Sequence, residues 1–597
     1  MPVAGQPALP SAGEFAKIKS KCPTRLRQFQ EYVDRTTIMT SNREPRMPNN
    51  SYPDWFAACV MSHEEALDRT LKSGTTLASG FATSEPHSFY QKVWDHIQKN
   101  DLHDLNFRQG LFMAPHKLCV GNALSAQGFF KGWSEWFEGY PAISRTFKSL
   151  NDTTKRLDGL RKLIDHYREL RERRITFTSP FIGPATNMII PPNPVVKMLY
   201  PEFAGRNTTT LGITDMQSIH FPDAVDSMAI DPDGNPLIQL CVVPLTPPND
   251  NGEMSNGPAN GANAEIISKV IEHRNINLLI YLNPKYPFTR GYSFAPNTFH
   301  IDQFRELAQA GRLFVVEDDG KIPALPADSF KNPAKEEQAI AQNVANHIEL
   351  NKRYTYGRAI QVGFGGTGVL AIKALKDSSW TGRSYTEMLE PFTLDLFDAG
   401  KIAGSHFVEL DGRRTQLDGK IVCTFTICEE NSDFYSRIHN NPAVIISAAS
   451  RVVIPEAFHY GLGINNCLGI DFQGQLNSGG RDHVHYSGVG GGATIMRGLS
   501  RGGIGYMCLK STHSMPDGSI RSSIFPFLAP GTPISCIGPD LMGGREGARF
   551  FLVTEHGVAQ LSGQSQHNLI KNLISVAHPD FRDELKAKAY EYFRVSF

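Results

Sequence analysis

Between Ile175 and Pro323, short apolar runs such as Leu237–Val243 and Asn277–Leu282 alternate with helical stretches such as Ala264–His273. Strands of that kind bury best when helices cover them, so the alternation predicts α/β layers. The opening of the design occurs twice. Ser62-His-Glu-Glu-Ala offers an N-cap and an acidic first turn, a helix runs to about Lys72, and Thr75–Gly80 reads as a buried strand. Further along, Lys335-Glu-Glu-Gln-Ala starts a helix, and Ala359–Phe364 follows as an apolar strand ending in Gly365-Gly366. Two related α/β halves, with a ligand cleft between them, are the expected architecture.

A chain of 597 residues exceeds what one core supports. Residues 1–55, interrupted by Pro10, Pro23, Pro48 and Pro53, read as an N-terminal extension with one short helical candidate at Thr24–Arg35. The stretch Asp318–Ala334 carries Pro323, Pro326 and Pro333 and reads as a linker. The domains expected are therefore 56–325 and 326–597. Pro247–Ala262, rich in Pro, Asn and Gly, reads as an exposed loop. Residues 151–174 read as a charged surface helix with one apolar stripe, Leu157 to Leu170.

Lys+Arg and Asp+Glu both number 60, which leaves no electrostatic footprint for nucleic acid or an anionic membrane. No apolar run approaches the ~20 residues that span a bilayer. The nine cysteines are scattered and odd in number, against a disulfide framework or structural zinc. With an N-terminus lacking a signal design, a reducing cytoplasmic compartment is expected; a mitochondrial address stays open.

Chemistry concentrates in the second half. Gly363-Phe-Gly-Gly366 stands where a strand ends and a helix begins, a geometry that offers N–H groups to a phosphate or oxyanion, or else a tight turn. Ser487-Gly-Val-Gly-Gly-Gly492 is a second loop of the same kind. Just before it, His483 and His485 alternate within Arg481-Asp-His-Val-His-Tyr486. Either is a general-base candidate or an ordinary hydrogen-bonded strand histidine; no third ligand at a persuasive spacing supports a metal site.

Four segments together carry a family resemblance. They are Asn283-Pro-Lys-Tyr-Pro-Phe-Thr-Arg-Gly291, Gln361-Val-Gly-Phe-Gly-Gly366, the stretch Gly461–Gly480, and Val553-Thr-Glu-His-Gly-Val558 with Leu573–Asp583. In this order the chain resembles the acetyl-CoA hydrolase/transferase family, of class I-type CoA-transferase fold. The resemblance implies two α/β domains with the active site between them and coenzyme A, as an acyl-CoA substrate, bound by the second. It also implies a carboxylate acceptor, no metal, no nucleic-acid or membrane partner, and a homo-oligomer, often a dimer. By the same resemblance Gly363, Gly365, Gly366, Gly488, Gly490 and Gly491 line the coenzyme site. Arg501, where relatives usually carry Lys, pairs with a coenzyme phosphate.

The resemblance further assigns the family's nucleophilic Glu to the position of Gly469. Relatives form an acyl-glutamyl anhydride and then a glutamyl-CoA thioester, for which glycine supplies no oxygen. Three readings stay open: thioester hydrolysis or transfer by a relocated group, repurposed lyase-type chemistry, and coenzyme binding without catalysis. Cys467, two positions from Gly469 on the same strand face, is either a thiol nucleophile or inert filling. Asp471 is expected to orient the turn before Gly474.

Overall fold

The computed structural model describes residues 52–113, 116–121, 162, 165–181, 214–325, 329–363, 365–410, 412–481, 484–485, 487–515 and 519–597. The expected extension, apart from its last residues, and the Thr24–Arg35 candidate lie outside them.

The first sheet has seven parallel strands: β1 (Thr76–Ser79), β2 (Asn106–Arg108), β3 (Thr176–Ser179), β4 (Thr214–Met216), β5 (Leu240–Leu245), β6 (Asn277–Leu282) and β7 (Leu313–Glu317). Their order is β4-β3-β2-β1-β5-β6-β7. The second sheet has β8 (Ala359–Val362), β9 (Arg383–Tyr385), β10 (Ile421–Cys423), β11 (Val444–Ile446), β12 (Leu462–Asn466), β13 (Ile504–Cys508), β14 (Arg549–Thr554) and β15 (Gly557–Gln560). Its order is β11-β10-β9-β8-β12-β13-β14-β15, parallel except for the β14–β15 pair. In both sheets the first strand is central, the next three step outward on one side, and the remainder cross to the other. The repeated α/β design read from the sequence is thus a repeated winding.

Local chemistry explains the elements. The side chain of Ser62 accepts from the N–H of Glu65 at 3.2 Å and starts the helix His63–Thr70. Lys335–Leu350 buries Ile340, Ala341, Val344, Ala345 and Ile348, a single stripe at helical spacing. Each large apolar side chain fully buried there contributes roughly 1.5–3 kcal/mol, so Val344→Asp would break the packing. In β5, Leu240 and Val242 enter the core on one face, while Cys241, Val243 and Leu245 enter that on the other. Burial on both faces is why this strand reads as a continuous apolar run.

One expectation is overturned. The second part of the Pro/Asn/Gly-rich stretch is not an exposed loop: residues 254–262 are buried, whereas Asp250 and Asn251 before them are exposed. Asn260 and Gly261 donate their N–H groups to the carbonyl of Thr424 at 2.9 and 3.2 Å, and Asn263 accepts from the N–H of Phe81 at 3.1 Å. Backbone N–H groups join the two halves here while side-chain amides brace the stretch within the first, and composition alone does not distinguish such a buried segment from a solvated turn. Of the charged helix, residues 165–172 are described and helical, with Tyr167 and Leu170 buried.

Candidate active site

In the second sheet the winding reverses between β8 and β12, so the crevice between their carboxyl ends is where an open α/β sheet receives a ligand. A cavity of about 350 Å3 lies there. Gly363, immediately after β8, and Asn466, Cys467 and Leu468, at the end of β12, form its floor with Met507 of β13. The loop Ser487–Gly491 and the first turn of the helix Gly492–Leu499 form a wall, and Phe181 reaches in from the first half.

The side chains are held by their own ladders. Asn465 and Gln361 face each other across β12 and β8 and exchange amide hydrogen bonds at 3.1 and 3.3 Å. Asp471 accepts from the N–H groups of Gln473 and Gln475 at 3.0 and 2.9 Å, fixing the turn at Gly474 as expected. The two halves lock at the glycine loop, where the N–H of Phe221 donates to the carbonyl of Gly490 at 3.0 Å.

The carboxylate on the cavity wall belongs to Glu387, and among the described lining residues it is the only acidic one. Glu387 continues β9 beyond Tyr385. Its carbonyl accepts from the N–H of Thr424 at 3.0 Å, and neighbouring Thr386 donates its hydroxyl to the carbonyl of Val362 at 3.2 Å, tying the segment to β8. Glu387 is only 8% exposed. Burial raises its pKa from 4.5 to about 7, partly opposed by the nearby backbone N–H of Gly491. A Cβ on Gly491 would overlap Glu387 Oε2 and lie 2.6 Å from Val453 Cγ1, so only glycine lets this backbone reach the carboxylate. The N–H groups of Gly488, Val489 and Gly490 have no hydrogen-bond partner among the described residues.

The glycines expected at the site are brought together in part. Gly363, Gly488, Gly490 and Gly491 line the cavity. Gly365 (φ +134°) caps the helix Gly366–Leu375 beside Asn466, so Gly365 and Gly366 stand one step behind the floor. Cys467 lines the cavity, but it is 8% exposed and its thiol donates to the carbonyl of Cys508 at 3.6 Å. His483 lies outside the described residues; the backbone of His485 pairs with Gly480 in a short antiparallel ladder.

Two of the expected positions stand apart from the cavity wall. Arg501 is not at the cavity: it follows the far end of the helix Gly492–Leu499, roughly 12 Å along from its glycine cap, and pairs with Glu546 at 3.1 Å. Nor is position 469 a vacant niche. Gly469 pairs with Asn477, and a Cβ there would meet Phe525 Cε2 at 2.8 Å and the carbonyl of Ser523 at 3.3 Å. The acidic side chain on the cavity wall is that of Glu387. A sequence signal for it existed: an acid placed between Tyr385 and Met388-Leu389, next to a strand, is costly to bury unless it is used.

Among the described residues no group of three or more His, Cys, Asp or Glu is arranged to hold a metal. No described helix is long and apolar enough to cross a membrane.

Residues 431–589 match the acetyl-CoA hydrolase/transferase C-terminal domain. The chain is 30% identical over 323 residues to a succinyl-CoA:cyclohexane-1-carboxylate CoA transferase of Geobacter metallireducens, covering 53% of this chain and 64% of that protein. It is 28% identical over 310 residues to a 4-hydroxybutyrate coenzyme A transferase of Clostridium kluyveri, covering 48% and 66% respectively. The matches thus span just under two thirds of these relatives' lengths. In fold, the chain is similar to the crystal structure of RipA from Yersinia pestis, with a TM-score of 0.62 at 21% identity over 90% of this chain and 98% of that one.

Proposed function

Because this chain belongs to the acetyl-CoA hydrolase/transferase family, we propose that it moves coenzyme A between carboxylic acids through a covalent intermediate on Glu387. The observation that carries this reading is a buried carboxylate on the wall of a crevice ringed by glycine N–H groups, at the reversal point of the second sheet.

In the proposed reaction the pantetheine arm of an acyl-CoA lies along the larger cavity. An oxygen of Glu387 attacks the thioester carbonyl, and the negative charge that forms on the carbonyl oxygen is met by the N–H groups of the Gly488–Gly490 loop, which no described residue engages. The carbon–sulfur bond breaks, releasing the coenzyme thiolate and leaving an acyl-glutamyl anhydride. The thiolate then attacks the Glu387 side-chain carbonyl carbon, the acyl group departs as a carboxylate, and Glu387 holds the coenzyme as a thioester. An acceptor carboxylate reverses both steps. Charge and atoms balance without a metal or a redox partner.

The thiol and imidazole routes give way to this one, because the carboxylate read as missing at position 469 has a counterpart at 387. The test is exchange between acetyl-CoA and labelled propanoate. Parallel lines in double-reciprocal plots, and their loss in Glu387→Gln, support the reading; a Glu387→Gln protein that exchanges at the original rate excludes it.

A further inference from the structure

Glu387 also forms part of the wall of a second cavity, of about 40 Å3, between the two halves. Phe81, Leu111 and Phe181 come from the loops that follow β1, β2 and β3, and Phe221 and Phe425 close the space. Among the described lining residues Glu387 is the only one with an ionisable side chain. The two cavities thus differ in chemistry. The larger presents serine, asparagine and backbone polar groups suited to the amides of a pantetheine arm, and the smaller presents aromatic and aliphatic carbon. A nucleophile shared by both must receive its carbonyl at the junction, with the coenzyme on one side and the rest of the acyl group on the other.

Resting on the Glu387 reading, we propose that the smaller cavity holds the acyl tail and confines the reaction to short-chain monocarboxylic acyl groups. A water-sized group needs about 10–15 Å3 of such space, so 40 Å3 takes about three atoms beyond the carbonyl. Acetyl, propanoyl and butanoyl tails fit; a hexanoyl tail overruns the aromatic wall. A succinyl tail is too long as well, and it would leave its second carboxylate against carbon with no cation among the described lining residues to pair.

The test is titration calorimetry of Glu387→Gln with acetyl-, butanoyl-, hexanoyl- and succinyl-CoA in the absence of any acceptor. Affinity is expected to rise about fourfold per added CH2 from acetyl to butanoyl, and to fall at least tenfold for hexanoyl and succinyl. In Leu111→Ala on the same background, hexanoyl-CoA is expected to recover to within threefold of butanoyl-CoA while succinyl-CoA stays weak. Hexanoyl- or succinyl-CoA binding as tightly as butanoyl-CoA, or a series unmoved by Leu111→Ala, overturns the proposal. If Glu387→Gln does not fold, the wild-type protein with S-(2-oxoalkyl)-CoA ketones of matching chain length gives the same series. Without an acceptor there is no turnover to report on Glu387, so failure of the nucleophile reading shows in the exchange assay and failure of the tail cavity shows here.

Discussion

Gly491 stands so close to the carboxylate of Glu387 that a Cβ there would overlap Oε2, which joins the cap of the helix Gly492–Leu499 to the strand continuation after β9. The positive end of a helix and a hydrogen-bond donor both favour the anion, yet burial outweighs them and leaves the group titrating near 7. A carboxylate so placed is available as a nucleophile at neutral pH and is poorly solvated, which raises its reactivity.

Transfer is therefore expected to increase with pH as Glu387 ionises. Below about pH 6 the value of kcat/KM should fall about tenfold per unit, with a midpoint near 7. A profile flat from about pH 5 to pH 8 contradicts this assignment.

Stability should move the other way. The pKa of Glu387 is higher in the fold than its ordinary 4.5, so its contribution is fully present below 4.5 and is lost as pH rises through about 7. Glu387→Gln, which cannot ionise, is expected to exceed the wild type by on the order of 3 kcal/mol at about pH 8, with no difference near pH 4. Urea denaturation at the two pH values measures it.

Gly491→Ala is expected to lower kcat by about a hundredfold while leaving the coenzyme's affinity within severalfold. The new methyl displaces the Glu387 carboxylate from its donor. Steady-state kinetics with acetyl-CoA separates the two effects, and an unchanged kcat contradicts the proposed positioning.

Gly469→Glu should not create or strengthen transfer. Its side chain would meet the Phe525 ring in a buried ladder, so a loss of about 2–4 kcal/mol in stability is expected. Denaturation together with the exchange assay checks both statements; a gain in transfer rate would show that position 469 opens on the reacting group.

Cys467→Ala should exchange coenzyme A within about threefold of the wild type, since the thiol serves as packing against the Cys508 carbonyl. Loss of activity in this variant, with the fold intact by circular dichroism, restores the thiol route.

Fold and site were legible to different depths. Strands such as Asn277–Leu282 and the cap at Ser62 follow from local chemistry and appear where the sequence places them. Glycine strings report on backbone that must approach a ligand or a neighbour, and Gly363, Gly488, Gly490 and Gly491 do meet at one cavity. Glu387 escaped notice because its partner lies far along the chain, and only the sheet winding brings β9 beside the loop before Gly492. Arg501 lies apart from the cavity for a related reason. It follows Gly490 by eleven positions, and the intervening helix carries it away from the crevice to Glu546. The buried wedge at Asn256–Ala262 has turn composition because hydrogen bonds between the halves need the same groups that turns use.

The most direct measurement is peptide mapping by mass spectrometry after the protein is mixed with acetyl-CoA and the thioester adduct is trapped with borohydride. Reduction of a glutamyl-CoA thioester to the alcohol should mark the peptide containing Glu387, and the mark should vanish in Glu387→Gln. A modification on Cys467 instead, or rapid exchange with Glu387 unmodified, would contradict a covalent intermediate at that carboxylate.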